Sequence, residues 1–193
     1  MIGKLALKTA KIFIRNPNLA YNDISIYQYG FFILYSNILF LFVSLLFGML
    51  FGVLAQSIVF YLAFFSIRQF AGGYHASTET KCEIISTLSI MSCIGFCRLA
   101  LTYNFNLILL IVAIICAIPI LIFCPLDTPE KPLNNKEYRY FRKISICILS
   151  LIIFTVIISY HMEIHFLFSP CCMSLIMEAI LIIIGKLKKV LVR

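Results

Sequence analysis

Apolar residues run along this chain in long blocks broken by short polar stretches. Six such blocks stand out: Phe31–Ala55, Ser57–Ala71, Ile84–Leu101, Leu107–Phe123, Ile144–Tyr160 and Phe166–Gly185. A helix that crosses a bilayer needs about 20 apolar residues, or somewhat fewer when it is short or partly shielded. Each block therefore predicts a spanning helix. The second is the weakest, being short and interrupted by Arg68 and Gln69. Ahead of the blocks, residues 2–15 place Leu5 and Ile12, with Leu19 beyond, at seven-residue intervals, while Lys4, Lys8, Lys11 and Arg15 fall on another face and Pro17 limits the run. That pattern predicts a basic amphipathic helix on an anionic membrane surface. The fold class expected is all-α: a polytopic membrane protein of about six transmembrane helices plus an N-terminal amphipathic interfacial helix. It forms one domain, 1–193, with residues 1–28 as the amphipathic segment, 29–185 as the spans and 186–193 as a basic tail. Neither an internal repeat nor a low-complexity linker divides it, and the N-terminal residues lack a signal-peptide pattern.

Composition supports a lipid solvent. The chain is 62% hydrophobic and 12% charged, with a mean hydropathy of +1.03, whereas a soluble domain is about 45–50% apolar and about 25% charged. The net charge of +8 would suggest nucleic acid in a soluble protein; here it reports topology, and no nucleic-acid partner is expected. With the N-terminus inside, the inner segments 1–30, 68–83, 124–143 and 186–193 hold 15 of the 16 basic residues, Arg98 being the exception. The positive-inside rule then places both termini in the cytoplasm. Seven tyrosines, among them Tyr27, Tyr103 and Tyr160, fall near span ends, as interfacial anchors do.

The eight cysteines occupy positions 82, 93, 97, 116, 124, 147, 171 and 172. Most lie inside apolar blocks, where cysteine acts as a small hydrophobe. Cys93 and Cys97, and Cys171 with Cys172, read as packing residues. No spacing matches a zinc knuckle, and a disulfide framework does not suit this setting. No metal and no cofactor are expected.

The segment with chemical content runs from Arg68 to Glu83. Gly72-Gly73 is suited to end the second span, because glycine takes backbone angles closed to other residues. Thr80 and Glu83 have capping-box spacing, which would put Cys82 second in the third span. A thiol there meets unpaired N–H groups and the positive end of the helix dipole, both of which favour a thiolate; the same amides suit an oxyanion. His75 precedes Cys82 by seven residues, about 10.5 Å along one straight helix. That is too far for proton transfer, but a loop over 74–79 could fold the imidazole back and make a cysteine–histidine pair. Plainer readings stand beside these. Cys82 and His75 can be ordinary interfacial residues, the two glycines a turn, and Arg68 a snorkelling cation or a fork for a substrate carboxylate. Two ligands are too few for structural zinc. The second notable stretch, Cys124 to Leu133, is stiffened by prolines and followed by Lys136, Arg139, Arg142 and Lys143. It serves as a topology signal and lipid contact, or as a dock for an acidic peptide.

Arg68, Gly73, His75 and Cys82, spaced Arg-x4-Gly-x-His-x6-Cys, together with the Pro125–Leu133 loop, the basic N-terminus and the six-span size, resemble the AgrB family of bacterial quorum-sensing proteins. The resemblance covers essentially the whole chain. It implies a membrane-embedded cysteine endopeptidase that cleaves the C-terminal part of an AgrD-like propeptide, with Cys82 as nucleophile and His75 as base. The acyl group then passes to a thiol or hydroxyl of the peptide and closes a thiolactone or lactone ring. Arg68 and Gly73 match positions on which the family's activity depends. Lys131 of the proline-rich loop is counted with them as a supporting or substrate-binding residue, and so is Glu79, which could orient His75. The resemblance further implies a homodimer in the cell membrane of a Gram-positive bacterium, in contact with lipid; Gly48 and Gly52 offer a weak GxxxG signal for it. A non-enzymatic transporter or peptide exporter is the alternative.

Overall fold

The computed structural model describes residues 2–13, 21–74, 78–103, 105–126 and 133–191; at residues 21–23 and 79 it describes the backbone alone. Seven helices account for nearly all of these residues: α1 (Ile2–Phe13), α2 (Tyr21–Leu50), α3 (Leu54–Ala71), α4 (Glu79–Thr102), α5 (Asn106–Phe123), α6 (Asn135–His161) and α7 (His165–Leu191). All but α1 are long and apolar enough to cross a membrane, so the expected polytopic all-α fold is what the chain forms.

The helix ends follow from local chemistry. The sequence placed the first turn near Gln56, its polar residue. The chain instead turns at Phe51–Val53, where Gly52 takes φ +69° and the Val53 N–H returns to the Gly48 carbonyl at 2.8 Å. Gln56 lies in the first turn of α3. A Cβ on Gly48 would overlap Ser57, so Gly48 and Gly52 serve the α2–α3 turn within one protomer. Helix α6 starts nine residues before Ile144, because Asn134 and Glu137 form a capping box. Lys136, Arg139, Arg142 and Lys143 therefore ride on its first turns rather than in a loop. Helix α2 runs through the 28/29 boundary and α7 continues to Leu191.

Helix α1 is amphipathic, but the face it turns to the protein is not the leucine stripe. Gly3, Ala6 and Ala10 are buried as α1 packs against α2. The Thr9 and Tyr35 hydroxyls pair at 2.9 Å, and Phe13 meets Phe31 edge to face. Leu5 and Ile12 stay exposed. Small residues let two helix backbones approach closely; Arg15 and Leu19 lie outside the described residues.

Helix α7 is the hub, packing on α3, α4, α5 and α6. Its spanning window is 72% buried, against 17–28% for the other five. Two apolar clusters meet along it, one joining Ile67, Ile120, Leu149 and Phe168 and the other joining Phe60, Ile94 and Met173. Cys93, Cys97, Cys171 and Cys172 are buried here, in the packing roles their setting implied.

Candidate active site

At one end of the bundle the chain between α3 and α4 is held from three sides. Helix α3 ends at Ala71, and Gly72 and Gly73 follow with φ of +76° and +136°, angles that side chains with a Cβ rarely adopt. Leu126, just past α5, donates its N–H to the Ala71 carbonyl at 2.8 Å and forms a parallel bridge with Gly72. Tyr74 donates its N–H to the Leu181 carbonyl of α7 at 2.9 Å. Arg68, in the last turn of α3, reaches forward over the turn: one terminal guanidinium nitrogen donates to the Gly72 carbonyl and the other to the Tyr74 carbonyl, both at 2.6 Å. A Cβ on Gly73 would overlap that guanidinium, and one on Gly185 of α7 would stand 2.9 Å from the Tyr74 nitrogen. Both glycines are needed for the close approach.

Arg68 is balanced from behind. The Glu178 carboxylate of α7, fully buried, lies 3.9 Å from an Arg68 nitrogen, and neither of its oxygens has a hydrogen-bond partner among the described residues. Glu178, Leu181 and Gly185 recur at helical spacing along α7, so one stripe carries the counter-charge, the acceptor and the gap that seat the turn. With two nitrogens committed to backbone carbonyls, Arg68 is a clamp on the turn rather than a free fork for a substrate carboxylate.

Helix α4 begins two residues earlier than its sequence suggested. Thr78, not Thr80, is the N-cap, its hydroxyl accepting from the Lys81 N–H at 3.3 Å. Cys82 is then the fourth helical residue, and its own N–H donates to the Thr78 carbonyl at 3.1 Å. The amides that an α-helix leaves unpaired lie upstream of Cys82, at Glu79 and Thr80. They, rather than the amide of Cys82, are the backbone candidates for an oxyanion donor. The thiol still sits within the turn that feels the positive helix end. Glu83 is correspondingly not a capping residue: its Oε1 is buried without a hydrogen-bond partner among the described residues.

Cys82 and Arg68 line the same cavity, of about 330 Å³, bounded mainly by α2, α3 and α4 and closed by Met177 and Leu181 of α7. Cys82 is half-buried there. The other thiol at this end, Cys124, is fully buried; burial pushes its pKa up against the opposing pull of Arg142, the setting of an inert thiol. Of the residues singled out from sequence, Arg68, Gly73 and Cys82 thus come together. His75 and Lys131 lie outside the described residues, as does the side chain of Glu79. Glu178, Leu126 and Gly185 were not singled out. A lone carboxylate inside a span is a signal worth pursuing, and Arg68, the basic residue of α3, was its available partner. Among the described residues no group of three or more histidines, cysteines or carboxylates could hold a metal ion.

Comparison with known proteins bears on the family. Residues 6–184 match the family model of accessory gene regulator B, AgrB. AgrB-like protein 2 of Clostridium perfringens (strain 13 / Type A) is 27% identical over 141 residues. An AgrB-like protein of Clostridium perfringens (strain SM101 / Type A) is 28% identical over 141 residues. Each match covers 69% of this chain and 65% of the relative, so the chain spans a little under two thirds of the curated relatives it matches. No solved structure is significantly similar. Since the family model takes in nearly the whole length, from the first helix into the last, the chain belongs to the accessory gene regulator B family.

Proposed function

We propose that this protein takes part in agr quorum-sensing peptide processing as a membrane cysteine endopeptidase acting on an AgrD-like propeptide. Cys82 is the nucleophile and His75 the base. The observation that carries the reading is Cys82 itself: a half-buried thiol one turn into a helix, on the wall of a cavity that it shares with Arg68. His75 follows Tyr74 directly in the chain, and Tyr74 is fixed to that wall by Leu181 and Arg68. In the proposed step the Cys82 sulfur attacks the scissile carbonyl, His75 takes the thiol proton and returns it to the departing amine, and a thioester is left on Cys82. A thiol or hydroxyl of the same peptide then attacks that thioester, frees Cys82 and closes a thiolactone or lactone ring. Exchange of one thioester for another conserves bond type, so ring closure outruns hydrolysis when the peptide nucleophile is held close and water is kept out.

The proposal puts this end of the bundle, and both termini, on the cytoplasmic side, a reading that the positive-inside rule supports. Glu79 and Lys131 belong to the same proposal as supporting residues, and a homodimer in contact with lipid as its assembly. Glu178, the carboxylate buried in α7, faces Arg68 rather than an open path between helices, which does not favour the exporter reading.

The test is cleavage of the propeptide by purified protein in liposomes, followed by intact mass. Cys82→Ala and His75→Ala are expected to abolish cleavage while inserting normally. Undiminished cutting by Cys82→Ala overturns the assignment, and solute flux without cleavage favours the exporter.

A further inference from the structure

The cavity beside Cys82 has two kinds of lining that no single neighbour requires. Phe40, Phe60 and Phe64 give it an aromatic side, whereas Ser36, Ser86 and Ser89 line it with polar residues within the candidate spans. Serines elsewhere on the same helices behave differently. Ser66 on α3 and Ser92 on α4, on exposed faces, each close onto their own helix, to the Leu62 carbonyl at 2.6 Å and the Leu88 carbonyl at 2.8 Å. That is how a hydroxyl facing lipid satisfies itself. Ser36, Ser86 and Ser89 have no hydrogen-bond partner among the described residues. Glu83, one residue from Cys82, lines the cavity as well and buries an oxygen without a partner among the described residues. A polar group held away from water without a partner is costly, so an alkyl chain of lipid would leave the Glu83 oxygen unmatched and would shield the three part-exposed serines from water without offering them a partner. An extended peptide brings both what the serines and Glu83 lack, its backbone N–H and C=O groups, and side chains for the aromatic side. At about 330 Å³ the cavity is near the small end of ligand sites, ~300–1,000 Å³, room for a short stretch of peptide rather than a whole one.

We propose that this cavity is a peptide-segment site that holds the apolar, aromatic-bearing residues adjoining the scissile bond, with the Glu83 carboxylate accepting a backbone N–H from that segment. The proposal rests on the endopeptidase reading for the identity of the peptide, but not on turnover. Glu83 is a specificity and positioning residue beside the nucleophile, and α4 presents Cys82, Glu83, Ser86 and Ser89 to one bound strand.

The test uses full-length protein carrying Cys82→Ala in nanodiscs, with an AgrD-like propeptide bearing a diazirine phenylalanine next to the scissile bond. Equilibrium binding and the site of photo-crosslinking are read, so the result stands whether or not the wild type cuts. Cross-links are expected on α2, α3 or α4 within the cavity. Ser89→Phe, which fills it, is expected to weaken binding at least tenfold, and the near-isosteric Glu83→Gln about tenfold. Ser92→Phe on the exposed face should leave binding unchanged. If Ser89→Phe does not fold, Glu83→Gln and the cross-link position decide. Unchanged affinity in Glu83→Gln with cross-links outside the cavity overturns the proposal, as does phospholipid cross-linked there that the propeptide does not displace.

Discussion

Helices α5 and α7 have opposite relations to their own composition. Asn106–Phe123 is the most apolar span, yet only 17% of it is buried; α7 carries serines, cysteines, a proline and Glu178, and its spanning window is 72% buried. In water the more apolar helix would be the core. In lipid a leucine gains nothing by leaving the tails for a neighbouring helix, so small and polar positions decide what packs. Helix α5 faces the solvent for which it is made, and α7 is where the protein recognises itself.

Three substitutions test that contrast, in falling order of effect. Glu178→Leu removes one partner of a buried ion pair and leaves Arg68 without its counter-charge, a loss of about 3–5 kcal/mol. A thermal melt in detergent should report it, along with lost cleavage. An unchanged melt would mean that α7 is not held through this pair. Gly185→Val is expected to displace the Gly73–Tyr74 backbone, since even a Cβ would stand 2.9 Å from the Tyr74 nitrogen. Peptide cleavage should fall steeply with a smaller stability loss, on the order of 1–3 kcal/mol. Retained activity would show that the turn does not position the nucleophile. On α5, Ile115→Ala alters a side chain 57% exposed and should stay within about 0.5 kcal/mol of the wild type. A cost like that of a core residue would place α5 in an interface.

The same contrast explains what the sequence disclosed. The six spans were legible because lipid demands continuous apolar blocks, and Gly72-Gly73 because the chain must turn where it leaves the membrane. The helix starts were less so. Thr78 and Thr80 are both good N-caps, and propensity cannot choose between threonines two residues apart; taking Thr78 turned Glu83 from a supposed cap into a cavity wall. Gln56 looked like a loop residue because it is polar, whereas the turn needed the positive φ of Gly52. On α1 the leucine spacing drew attention to the lipid side, and the packed face of Gly3, Ala6 and Ala10 was silent because small residues leave no hydrophobic signal. Arg68, Gly73 and Cys82 were singled out and do converge. The pairing of Arg68 with Glu178 was not, because it depends on how α3 lies on α7, which no local pattern encodes.

The seating of the turn on α7 has a consequence during synthesis. Cys82 and the Gly72-Gly73 turn leave the ribosome well before the helix that supplies the acceptor, the counter-charge and the gap. Until that helix has entered the membrane, the thiol belongs to an assembly without its axle. On the proposed function, a cutting activity housed in the membrane that makes it would thereby be withheld until α7 has been translated.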